Sequence, residues 1–159
     1  FHPQVEELVD LVAAVPETPV VLDHLGGPLG IGPYAGERDQ VRSALRPALE
    51  SLAEHEQVMV KVGGIGMSLY GVGLNRLPVA PTSEHVADLW SEDIRHCVET
   101  FGPERCMFES NFPVDKQGCS YTVLFNAFQR IADEAGWSIS ERVDLFSGSA
   151  RRFYRLNTP

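Results

Sequence analysis

Apolar residues recur along this chain in two alternating rhythms. Val5, Leu8, Val9 and Val12 keep the three-to-four spacing of a helix face, and Pro16 ends the pattern. Pro3 suits the first turn of that helix, where its missing N–H costs nothing. Val20-Val21-Leu22-Asp23-His24 is then a short apolar run that stops against Gly26-Gly27-Pro28. A strand apolar on both faces is the mark of a buried parallel sheet. After a loop with Gly30, Gly32, Pro33 and Gly36, Val41, Leu45, Leu49 and Leu52 predict a helix over 39–55, with a kink or break expected at Pro47. Val58-Met59-Val60-Lys61-Val62 reads as a second strand closed by Gly63-Gly64. The loop that follows, to Pro81, has the length at which loops are often functional. A third helix is expected over 84–101, stopped by Gly102 and Pro103, and a third strand over 106–109. Ser110-Asn111-Phe112-Pro113 turns the chain out into a helix over 121–135 that closes at Gly136. Ser138 and Glu141 have capping-box spacing, and Arg151–Tyr154 forms a last helical turn.

Helix and strand alternate, with crossovers long enough for right-handed parallel pairing, so the class is α/β. Three strands are too few for a closed barrel or a comfortable doubly wound sheet. The pattern therefore suggests one portion, residues 1–159, of a larger architecture. Opening on Phe1-His2-Pro3-Gln4, with no Met, it reads as if it begins in the middle of an element. Hydrophobic residues make up 43% and charged residues 22%, an ordinary globular balance, and no apolar run approaches the ~20 residues of a membrane span. The formal net charge of −9 disfavours nucleic acid or an anionic membrane as partner, leaving a small-molecule substrate as the expected one. Cys97, Cys106 and Cys119 lack CxxC spacing and read as reduced thiols, and no leader is visible, so the cytoplasm is the expected compartment. Neither GxGxxG, a P-loop, GxSxG nor HExxH occurs.

Four segments, taken in order, resemble the amidohydrolase-2 family of TIM-barrel hydrolases. They are Val21-Leu22-Asp23-His24-Leu25-Gly26-Gly27-Pro28, Val60-Lys61-Val62-Gly63-Gly64, Arg105-Cys106-Met107-Phe108-Glu109-Ser110-Asn111-Phe112-Pro113, and Ser149-Ala150-Arg151-Arg152-Phe153-Tyr154-Arg155-Leu156. His2-Pro3-Gln4 is similar to the end of the preceding barrel strand. The resemblance covers essentially the whole chain. It implies a C-terminal portion of a TIM (β/α)8 barrel, about strands six to eight, without the strand-one His-x-His pair. The family contains lactonases and decarboxylases. The implied activity is a hydrolase opening a lactone or similar cyclic ester by water attack on a polarised carbonyl. A decarboxylase on the same barrel, or a catalytically incomplete fragment, are the alternatives. A divalent metal such as zinc is the implied cofactor, although a reaction needing none also fits.

In such barrels the reacting groups sit at the C-terminal strand ends. His24 matches the family's strand-six histidine, whose imidazole ligates a metal or polarises a carbonyl. On the last strand the family's usual aspartate is replaced by Asn111, and an amide is neither a base nor a good metal ligand. Glu109, two residues earlier, shares that strand face. It is either the displaced catalytic carboxylate or a structural charge paired with Lys61. Asp115 either swings over the barrel mouth toward substrate or is a solvated loop residue, and Asp23 is expected to pair on the helix side. His2, Gln4 and Lys61 are the remaining candidates for substrate contact. His55, His85 and His96 fall on predicted helices and read as surface or packing residues. The strand face turned away from the helices should lack cover in this chain alone. Met59, Val62 and Met107 are its candidates, and self-association is the expected result.

Overall fold

The computed structural model describes residues 1–156. Helices α1 (Val5–Ala14), α2 (Arg38–Ala53) and α3 (Ser83–Phe101) alternate with strands β1 (Val20–Leu22), β2 (Val58–Val62) and β3 (Cys106–Phe108). Helix α4 (Tyr121–Glu134) follows β3, and α5 (Ile139–Val143) and α6 (Ser149–Tyr154) are joined by a π-helical turn. The strands form one parallel sheet in the order β1-β2-β3, which gives the expected α/β class. Thr82, Ser120 and Ser138 accept backbone N–H bonds at the starts of α3, α4 and α5, and the Ser138–Glu141 capping box forms.

Two local expectations change. Helix α2 runs through Pro47 without a break. Pro47 is exposed, while Val41, Leu45, Ala48, Leu49 and Leu52 on both sides of it are buried. The apolar stripe holds the helix together, and the carbonyl the proline leaves unpaired is on the wet side. The second change concerns sheet parity. Val20 pairs with Val58 and Leu22 with Val60, then Val60 with Cys106 and Val62 with Phe108. Alternation therefore turns Val58, Val60 and Val62 to the helices, where each is fully buried. Val62 does not belong to the uncovered face. That face carries Val21, Met59, Lys61 and Met107; the first three are half-buried and Met107 is buried.

The core lies between the sheet and the helices. Trp90, Ile94, Phe101, Leu124 and Phe128 are buried in it, and Phe108 stacks on Phe128 at a centroid distance of 4.3 Å. Cys97, Cys106 and Cys119 are free and buried there. Arg42 grips Asp93 with two nitrogens, at 2.7 and 2.8 Å, which ties α2 to α3.

Half-buried Val21 and Met59 leave apolar surface on one side of the sheet. Among the described residues β1 and β3 each have one strand neighbour only. The 159-residue chain expressed alone should therefore dimerise or aggregate, as read by light scattering after size exclusion. A monomer with a sharp cooperative melt is the opposing result.

Candidate functional site

Strand β1 stops at Leu22, and the chain then enters a run of four left-handed residues: His24 (φ 59°), Leu25 (57°), Gly26 (79°) and Gly27 (66°). For His24 and Leu25 that conformation costs about 1–2 kcal/mol each, and strain of this kind collects at functional sites. The turn takes His24 out of the strand's alternation and aims its ring sideways across β2. There Gly63 and Gly64 follow the strand. A Cβ on Gly64 would sit 2.7 Å from His24 Nδ1, and one on Gly63 would collide with Glu109. The glycine pair leaves a gap, and through it His24 Nδ1 hydrogen-bonds Glu109 Oε1. Glu109 continues the β3 ladder, its N–H donating to the Val62 carbonyl at 3.2 Å. The side chains of His24 and Glu109 are 27% and 15% exposed, so the pair is screened from water yet reachable. The hydrogen bond to Glu109 raises the His24 pKa, against the opposing effect of burial, and the charges of Glu109, Asp23 and Asp115 add to the rise.

Asn111 adopts a left-handed turn (φ 50°) just beyond Glu109. Its side-chain Nδ2 donates to Asp115 Oδ1 at 2.9 Å, and its carbonyl accepts from the Asp115 N–H at 3.2 Å. Asp115 is fully buried, which corrects the reading of a solvated or substrate-facing loop residue. Its other oxygen accepts from the Gly66 N–H at 2.9 Å. Burial requires close approach of three backbones: a Cβ on Gly66 would meet the Asp115 carbonyl at 2.6 Å, and one on Gly118 would meet Gly66. Burial pushes the Asp115 carboxyl above its ordinary value, while the Gly66 and Asn111 donors pull it back.

Lys61 does not pair with Glu109. Its Nζ lies 3.0 Å from Asp23 Oδ1 and 5.9 Å from the centre of the Tyr154 ring. Register explains this. Leu22 opposes Val60, so the next residues along, Asp23 and Lys61, face each other directly. Glu109 lies two residues beyond Met107, which is the partner of Lys61 on β3. Asp23 therefore pairs on the open face, not on the helix side. His2 is buried in a short turn before α1. Its Nδ1 accepts from the Leu29 N–H at 3.1 Å and its ring packs edge-on against Tyr34, and burial lowers its pKa. Gln4 is exposed. The structure thus brings His24, Glu109, Asn111 and Asp115 together, gives Lys61 to Asp23, spends His2 on local contacts and leaves Gln4 exposed. Buried Tyr70, whose hydroxyl donates to the His24 carbonyl at 3.4 Å, is an additional support. Its one sequence signal is its place in the long loop after β2.

Zinc sites use three or four protein ligands. Among the described residues no group of three His, Cys, Asp or Glu side chains could hold an ion. His24 Nε2 and the second Glu109 oxygen are the donors this cluster has left, so the residues here do not fit a complete zinc site by themselves. No helix among the described residues is long and apolar enough to cross a membrane.

Comparison with known proteins places these observations. The uncharacterized protein y4mH of Sinorhizobium fredii is 33% identical over 156 residues, spanning 98% of this chain and 45% of its own length. L-fucono-1,5-lactonase of Burkholderia multivorans is 31% identical over 150 residues, spanning 88% of this chain and 44% of the lactonase. The crystal structure of a Burkholderia multivorans amidohydrolase with bound zinc matches 98% of this chain and 50% of its own, at 28% identity and a TM-score of 0.81. The chain therefore spans about half the length of the relatives it matches. The model of the Amidohydro_2 family, described as amidohydrolase, matches residues 1–156, and the chain belongs to that family.

Proposed function

We propose that this chain supplies the last three strands of an eight-stranded barrel, and that the whole enzyme opens a sugar lactone or a similar cyclic ester. The observation that carries this reading is the Glu109 hold on His24 Nδ1 at the C-terminal end of the sheet. It leaves Nε2 as the working nitrogen, fixes the ring's orientation and strengthens its basicity. The kinship with L-fucono-1,5-lactonase supports the choice of a sugar lactone as substrate class.

In the mechanism, neutral His24 takes a proton through Nε2 as a water oxygen bonds to the lactone carbonyl carbon. The anionic Glu109 stabilises the imidazolium so formed, as the carboxylate does in hydrolytic triads. When the tetrahedral intermediate collapses, the ring C–O bond breaks and His24 returns the proton to the departing alkoxide. The product is the open-chain hydroxy acid. Lys61 keeps its pairing with Asp23 throughout. No step is assigned to a metal.

The full-length protein containing this chain should hydrolyse at least one member of a panel of five- and six-membered sugar lactones. Failure on the whole panel, together with decarboxylation of a carboxylated substrate, would overturn the reading. His24→Ala should lower kcat/KM by about two orders of magnitude or more with the fold intact. Glu109→Gln should leave substrate binding measurable and lower turnover by about one to two orders of magnitude. Wild-type turnover in His24→Ala removes that residue from the mechanism. Full activity in Glu109→Gln with an earlier melt makes Glu109 a structural residue only.

The pH profile gives a separate check. An imidazole acts as a general base only in its neutral form, so kcat/KM should rise with pH through the His24 pKa, which Glu109 holds above its ordinary value. Taking the charge away in Glu109→Gln lowers that pKa, so the rising limb of the residual activity should move to lower pH. An unmoved limb would assign it to another group.

A further inference from the structure

The mechanism leaves unused one fully buried carboxylate, Asp115, four residues beyond Asn111. We propose that Asp115 is a positioning residue. It fixes the polarity of the Asn111 side-chain amide, so that Asn111 Oδ1 is the atom presented at the strand end, where it accepts a hydrogen bond from the attacking water or a substrate hydroxyl. This inference rests on the hydrolase reading above and deepens it.

The argument is one of donor and acceptor bookkeeping. An ionised carboxylate only accepts. One Asp115 oxygen takes the Gly66 N–H at 2.9 Å, and the other faces the Asn111 side chain at 2.9 Å. Asn111 can satisfy that second oxygen only with Nδ2. Its Oδ1 is then turned away from Asp115. The backbone bond from Asp115 N–H to the Asn111 carbonyl closes the same pair a second time, so the orientation is held at both ends. The Asp115 carbonyl in turn accepts from the N–H groups of Gly118 and Cys119, at 2.9 and 3.1 Å, which fixes the carboxylate's own backbone. Gly66 and Gly118 pack too closely around it for a side chain at either place. Within this cluster only Asn111 is half-buried; Asp115, Gly66, Gly118 and Cys119 are buried. Asn111 stands where the family resemblance places an aspartate. With the amide turned this way it offers the same kind of atom, an acceptor oxygen, but without the charge.

A polarity swap tests this. Asp115→Asn keeps size and hydrogen-bond count. Its Oδ1 still takes the Gly66 N–H, so its Nδ2 must face Asn111, which turns the Asn111 amide round and presents a donor instead. In the full-length enzyme Asp115→Asn should lower kcat roughly tenfold or more, with KM changed far less, in line with misplacing a group that orients the reacting water. The double variant Asn111→Asp with Asp115→Asn restores an acceptor oxygen and should recover most of the lost kcat. An unchanged kcat in Asp115→Asn overturns the proposal. So does a double variant no faster than the single one.

A substrate-independent arm separates this proposal from the lactonase reading. With ¹⁵N-asparagine labelling, the Asn111 side-chain NH2 should show one hydrogen-bonded, exchange-protected proton in the wild type. It should lose that protection in Asp115→Asn. Protection with no lactone opened spares the positioning claim and sinks the substrate assignment. An unprotected NH2 in the wild type sinks the positioning claim whatever the enzyme hydrolyses. If Asp115→Asn does not fold, the wild-type NH2 measurement and the kcat of Asn111→Ala decide the matter. Wild-type kcat in Asn111→Ala counts against the proposal, and a tenfold loss counts for it.

Discussion

The site depends on an empty space. Strands β1 and β3 are separated by β2, and neighbouring strands lie about 4.8 Å apart, so side chains on the two outer strands are about 10 Å from meeting along the sheet. His24 and Glu109 meet because β2 ends in Gly63-Gly64, over which neither side chain is obstructed. Glycine here is required by clearance, and at Gly64, with φ 68°, by the backbone as well. The left-handed run from His24 to Gly27 is the matching half of the arrangement, because it throws the imidazole across the gap instead of up along the strand. Strain in β1's exit turn and absence of mass at β2's end are two parts of one solution.

Around this pair the chain separates groups that simple charge pairing would combine. Lys61 and Glu109 have opposite charges and lie on adjacent strands. A direct bond between them would neutralise the carboxylate and leave the imidazole without its partner. Asp23 prevents this by occupying Lys61 from the directly opposed position, and Tyr154 lies beside the ammonium. Burial alone would lower the Lys61 pKa; the Asp23 carboxylate and the Tyr154 hydroxyl outweigh it and keep the lysine charged. Asp115 is likewise occupied, by the Gly66 N–H and the Asn111 amide, and so does not compete for His24. Each carboxylate has its own donors, and the division follows from register and loop closure.

The sequence made the elements and the strand-end histidine readable because their signals are local. Val58–Val62 is bounded by its own glycines, α3 is ended by Gly102 and Pro103, and His24 is followed by its own glycines. Partner choice is not local. Whether Glu109 faces Lys61 or His24 depends on the β1–β2–β3 register and on whether β1 continues as a strand through Asp23, and no window of sequence contains both facts. Asp115 looked like a solvated loop residue because a polar residue after a turn ordinarily is one. Its burial follows from glycines at 66 and 118, which lie 49 residues upstream and three downstream of it. His2 is a similar case: its real partners, Leu29 and Tyr34, come from the loop after β1. Pro47 shows the reverse error, a strong local signal outweighed by a buried stripe on both sides.

The His24–Glu109 bond also has a consequence in time. Its two residues are 85 positions apart, and it can close only when both parallel pairings are in place. Parallel pairings form slowly, because loop entropy is lost before the contacts repay it. With β1 and β2 alone paired, His24 would have no carboxylate partner. Slippage of β3 by one residue would turn Glu109 to the helix side and leave the imidazole equally bare. The pair therefore acts as a register gauge: the bond forms only where β1, β2 and β3 are all paired in register.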